Sequence, residues 1–219
     1  MHVLPLDGGL STELHRLLVI GAHADDLEIG CGGTVLSLLR AHSGLDVTWV
    51  VLAASGEREG EARSSAEAFL EGAGGVRVQV HGFQDGYLPR VWADVKDVFE
   101  ALKRDIEPDL VLTHRGDDAH QDHRLACELT WNTFRDHLIL EYEIPKWDGD
   151  LGRPNVYVPL AEDLVERKVD LVLRHFPSQA GKHWYDGDTF RGLMRLRGIE
   201  CAAPSGYAEA FHGRKIVIG

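Results

Sequence analysis

Short apolar runs alternate along this chain with longer stretches of helical periodicity. LLVIGA (17–22), DVTWVVLA (46–53), VRVQV (76–80), DLVLTH (109–114) and LILEYEI (138–144) have the length and the Val, Ile and Leu content of strands. Between them, 31–42, 58–72 and 121–136 read as helices. So does 91–105, with Val91, Val95, Val98, Phe99 and Leu102 at helical spacing and Pro108 beyond its end. Strand and helix in strict alternation predict βαβ units. The expected fold is α/β, a three-layer, Rossmann-like parallel sheet with helices on both faces and right-handed crossovers. In such sheets ligands gather beyond the carboxyl ends of the strands.

The last third breaks the pattern. Residues 145–159 are rich in Gly, Pro and Asp and read as an extended loop. Two helices, 161–175 and 186–197, follow, and KIVIG (215–219) reads as an edge strand. The expectation is one domain over 1–219: a core at 16–144 and a C-terminal cap at 145–219.

Composition narrows the function. Of 219 residues, 44% are hydrophobic and 26% charged, an ordinary globular balance. Net charge is −12 with no cluster of Lys and Arg, so nucleic acid is a poor partner. No apolar run reaches the ~20 residues of a membrane span. The start, MHVLPLDGGLSTELHR, lacks the basic and apolar regions of a signal peptide. Cys31, Cys127 and Cys201 form no CxxC pair, which fits a reducing compartment. A cytoplasmic protein is expected.

Polar residues crowd directly after the first and fourth strands. His23-Ala24-Asp25-Asp26-Leu27-Glu28 leaves the first, and His114-Arg115-Gly116-Asp117-Asp118-Ala119-His120-Gln121-Asp122-His123 leaves the fourth. Each alone also reads as a helix cap or a solvated loop. Together, at one end of the sheet, they offer imidazoles and a carboxylate, the usual three-ligand set of a catalytic zinc site with one position open. No thiolate set exists for a structural one. A phosphate-binding reading of Gly30, Gly32 and Gly33 fails: Gly21 does not begin a GxGxxG, and two Asp at the helix start would repel a pyrophosphate.

His23-Ala24-Asp25-Asp26-x-Glu28-x-Gly30 and His120-x-Asp122-His123 resemble the paired motifs of the LmbE/PIG-L family of zinc-dependent N-deacetylases. The resemblance covers most of 16–215. Ala24 stands where many members have Pro, and Leu27 is inserted before Glu28. It implies that His23, Asp26 and His123 bind Zn²⁺ (ferrous iron can use the same set). Asp25 would be the general base toward a metal-bound water. His120 would polarise the acyl oxygen or protonate the amine, and Asp122 would orient His120. The implied activity is removal of an acetyl or other acyl group from an amino sugar conjugate. A thiol-conjugate amidase of the mycothiol or bacillithiol kind is the alternative, and a non-catalytic binding module a more distant one. Trimers or hexamers are the assemblies the resemblance suggests.

Weaker candidates lie at the same sheet end. Arg58, after the second strand, would reach a substrate hydroxyl or acid, or simply face solvent. Asp85, after the third, would bind sugar hydroxyls or form an Asp-Gly turn. Trp147, Trp184 and Tyr185 would line a pocket mouth or pack internally. Ser178-Gln179, Arg197-Gly198 and 207–211 (YAEAF) resemble features of bacterial members, with no chemistry assigned.

Overall fold

A computed structural model describes residues 14–216. The chain order is β1 (Arg16–His23), α1 (Asp26–Ala41), β2 (Asp46–Ala53), α2 (Glu57–Phe69), β3 (Gly75–Val80), α3 (Trp92–Asp105) and β4 (Leu110–His114). It continues with α4 (Gln121–Thr133), β5 (Leu138–Tyr142), β6 (Val156–Pro159), α5 (Glu162–His175), α6 (Gly187–Glu200) and β7 (Ala208–His212). Single 3₁₀ turns span Leu88–Val91 and Pro177–Gln179.

The strands form one sheet in the order β3-β2-β1-β4-β5-β7-β6. The first five are parallel, and β7 and β6 run antiparallel at the edge. Burial explains the apolar runs. In β1, Leu17 and Val19 face a core shared with α1, α2, α5 and α6, while Leu18 and Ile20 face a second core shared with α3 and α4. With both faces covered, neither parity of position needs to be polar. Trp49 and Phe69, both fully buried, stack at 6.3 Å in the first core.

The last third departs from expectation. Its Gly- and Pro-rich stretch ends in β6, and 207–211 largely becomes β7, so two antiparallel strands come from it. Lys215 and Ile216 lie outside any strand, and the rest of KIVIG falls beyond the described residues, as do residues 1–13 of the N-terminal segment. The first helix begins at Asp26 rather than residue 31, which puts the acidic motif on its first turn.

Two features bind β7 and β5 to α1. A Cβ at Gly30 would come within 2.3 Å of the Tyr142 ring, so the bare backbone lets α1 lie on β5. Tyr142 in turn donates its hydroxyl to Ile20 O at 2.7 Å. From β7, the buried Glu209 accepts from Gly33 N (2.8 Å), Thr34 N (2.6 Å) and Lys168 Nζ (2.6 Å). Lys168 also donates to Ile29 O at 2.7 Å. Gly33 N and Ile29 O are the donor and acceptor of one i→i−4 helical bond, and each finds a charged partner across the layer.

Candidate metal centre

Strand order reverses between β1 and β4, since β2 and β3 extend the sheet one way from β1 and β4 and β5 the other. The two polar segments leave the sheet at that switch point, where a parallel sheet opens a crevice. His23 ends β1, Asp26 begins α1, His114 ends β4, and His120 caps α4 ahead of Asp122 and His123.

Three donor atoms converge there. His23 Nδ1 lies 3.2 Å from Asp26 Oδ2 and 3.2 Å from His123 Nε2, and Asp26 Oδ2 lies 3.4 Å from His123 Nε2. Ligands ~2.0–2.1 Å from a tetrahedral ion sit roughly 3.3 Å apart, so this triangle fits a divalent cation. Two imidazole nitrogens and a carboxylate oxygen cannot all present lone pairs to one another without a cation or protons between them. Protons take that part in the metal-free protein. Burial alone would lower the His23 pKa, but Asp26, Asp122 and Asp85 carry it well above its usual value. Burial likewise opposes His123, yet Asp26 and Asp118 bring it to about 9.

Each imidazole has a carboxylate behind its other nitrogen. His23 Nε2 lies 3.1 Å from Asp122 Oδ2 and 3.1 Å from Asp85 Oδ1. His123 Nδ1 lies 3.1 Å from Asp118 Oδ2, which Lys146 Nζ also meets at 3.0 Å. Such outer carboxylates fix the tautomer and orientation of a ligating histidine. Asp118 resists its burial because the His123 ring holds its carboxyl well below the ordinary range. Three further groupings overlap the triangle: His120 with His23 and His123, His114 with Asp26 and His123, and Asp85 and Asp122 with His23. His114 is fully buried, accepts from Ala22 N at 2.9 Å, and stacks on His123 at 3.9 Å. Burial, then the charge on His123, push it down to about 4.

Asp25 lies beside the triangle with φ 94° and ψ −22°, a left-handed backbone that costs a residue with a Cβ about 1–3 kcal/mol. It occupies the N-cap position of α1, but its side chain makes no capping bond. Burial raises its pKa, and the Arg58 guanidinium pulls the other way. His120 accepts from Asp122 N at 3.2 Å through Nδ1, which leaves the proton of a neutral ring on Nε2. Glu28 is buried with no partner for either carboxyl oxygen, and burial raises it to about 8.

Asp122 and Arg58 make contacts that the sequence did not give them. The Asp122 carboxylate meets His23 and accepts from the N–H groups of Gly86 (2.7 Å) and Leu88 (3.1 Å), while its backbone N–H donates to His120. The Nη nitrogens of Arg58 meet Asp25, Glu61, Ser178 and the Ala24 carbonyl. Asp85, beside His23, has its side chain 76% exposed. Trp147 is exposed and packs on His183 at 4.0 Å, and Tyr185 is buried. Asp118 and His114 stood in the sequence segment without a role. Lys146 and Glu61 had nothing to mark them toward the site: their contacts with Asp118 and Ser178 span 28 and 117 residues.

The family described as PIG-L, GlcNAc-PI de-N-acetylase, matches residues 18–134. An uncharacterised Escherichia coli (strain K12) deacetylase, YaiS, is 27% identical over 191 residues, covering 78% of this chain and 97% of that protein. The N,N'-diacetylchitobiose deacetylase of Pyrococcus horikoshii superposes with a TM-score of 0.68 at 20% identity, over 95% of this chain and 88% of that one. The 4-carboxy-2-hydroxymuconate hydratase GalB of Pseudomonas putida KT2440 superposes at 0.67 with 18% identity, over 94% and 98%. At such identities the two structures speak for the fold, which carries different chemistries in them.

Proposed function

The chain belongs to the PIG-L, GlcNAc-PI de-N-acetylase family, and from that premise we propose that it is a metal-dependent deacetylase of an N-acetylated amino sugar conjugate. The observation that carries this reading is the triangle of His23 Nδ1, Asp26 Oδ2 and His123 Nε2 with Asp25 and His120 beside it. These three residues would hold Zn²⁺ or Fe²⁺. Such an ion supplies a Lewis acid for the amide carbonyl and an acidified water.

The chain's own groups do the rest. Asp25 takes a proton from the attacking water. His120 donates a hydrogen bond from Nε2 to the acyl oxygen, and the proton that Asp25 took from water is passed to the departing nitrogen as the C–N bond breaks. Acetate and a free amine leave. Asp122 and Asp118 keep the rings of His23 and His123 aimed, and the exposed Asp85 is available to sugar hydroxyls. Nothing in this arrangement prefers an amino sugar conjugate to a thiol-conjugate amide, so the thiol-conjugate amidase is the second reading. Among the described residues no helix is long and apolar enough to cross a membrane.

The test is metal content per chain after chelator-free purification, together with amine release from a panel of N-acetylglucosamine conjugates and thiol-conjugate amides. About one equivalent of metal with amine release from one group supports the hydrolase and selects its branch. Hydration of an unsaturated acid without amine release would instead favour the chemistry named for GalB. Failure to take up added Zn²⁺ would sink the proposal.

A further inference from the structure

Among the described residues only Asp25 and Ala202 combine a side chain with positive φ. A non-glycine residue persists there only when its surroundings over-determine it. The usual local device is missing, since the Asp25 carboxylate caps no N–H of α1. Arg58 stands in its place. Its Nη2 donates to the carbonyl of Ala24, the peptide that enters Asp25, and lies 3.1 Å from Asp25 Oδ1. One nitrogen thus grips both the backbone and the carboxylate of the strained residue.

The guanidinium is itself framed. Nη1 meets Glu61 Oε2 at 3.0 Å and Ser178 Oγ at 3.2 Å, and the buried Phe176 ring lies 5.4 Å from Cζ. Glu61, buried, also accepts from Ser178 N at 2.8 Å and Ser178 Oγ at 2.7 Å. The 3₁₀ turn that carries Ser178 follows α5, so residues far along the chain close the frame around a side chain of α2.

We infer that Arg58 is a positioning residue: with Glu61 and Ser178 it forms a clamp that holds Asp25 in its left-handed backbone and aims its carboxylate. This rests on the role given to Asp25 above. A base displaced by about 1 Å loses on the order of 10²-fold in rate. Arg58→Ala should therefore lower kcat by about that factor with KM and metal content near wild type. Added guanidinium ion should restore part of kcat. Ser178→Ala, which removes one support, should show the same split more weakly and serves where Arg58→Ala does not fold. A raised KM at unchanged kcat would make Arg58 a substrate contact and overturn the clamp.

A second readout needs no turnover. Glycine takes positive φ unaided, so the fall in Tm caused by Arg58→Ala should shrink in an Asp25→Gly background. Equal falls in both backgrounds would overturn the clamp. Wild-type protein that releases no amine from any substrate would sink the deacetylase reading and leave this cycle to judge the clamp by itself.

Discussion

Helix α1 carries two buried charge clusters, and they are built on opposite principles. Near its middle, Glu209 and Lys168 satisfy one another and the backbone: the carboxylate receives three donors, and the ammonium reaches Ile29 O and Glu209. At its N-terminus, His23, Asp26 and His123 bring acceptor atoms to within 3.4 Å of one another, with carboxylates also behind the two rings. The first cluster is closed and needs nothing more. The second has lone pairs in excess and needs protons or a cation between them. Burial is alike in both, so burial of charge does not by itself mark function; the balance of donors and acceptors does.

Each end of that contrast can be broken. The largest effect is expected at the open cluster: Asp25→Asn should lower amine release by ~10²–10⁴-fold with metal content unchanged. At the closed cluster, Glu209→Gln strands a buried ammonium and should cost ~3–5 kcal/mol in urea unfolding, while the folded chain still takes up metal. Glu28 lies between the two. Its folded-state pKa is raised to about 8, so the folded chain binds the extra proton and stability falls as pH rises from ~4.5 to ~8. Glu28→Gln removes that slope while burying an unpartnered amide. Relative to wild type it should gain about 1–3 kcal/mol at pH 8 and little at pH 5, read by unfolding at both.

Two smaller effects sharpen the picture. In the metal-free protein His123 titrates at about 9, so metal uptake must expel its proton. Apparent affinity should rise up to roughly tenfold per pH unit for each proton expelled, and level off once His123 is deprotonated. Calorimetry in buffers of different protonation enthalpy counts those protons. Last, Arg40→Met breaks an exposed pair with Asp163 and should leave the Tm unmoved.

The parallel core was legible because strands covered on both faces read as continuous apolar runs. β7 was not: its buried Glu209 makes AEAFH look polar, although that acid is what ties the strand to α1. β6 was hidden among Gly and Pro and is only half-buried. His23, Asp25, Asp26 and His123 stood out because they lie in dense polar runs directly after two apolar strands and in motifs that resemble those of a known family. Asp118, His114 and Lys146 could not be placed, since what they do depends on which ring or carboxylate lies opposite after folding. Arg58 was noticed, but its partners Glu61 and Ser178 are brought together only by the packing of α5 on α2.

Gly33 and Thr34 wait for a residue that the ribosome makes late. The three residues of the donor triangle have all been synthesised once His123 is made, but Glu209 follows about 86 residues later, roughly 4–17 s at ~5–20 residues per second. During that interval the nascent chain owns all three residues of the donor triangle, and the fastening of α1 to β7 does not yet exist. An ion captured then would give the growing polypeptide an early anchor, and the final strand would arrive as the latch on a partly organised core.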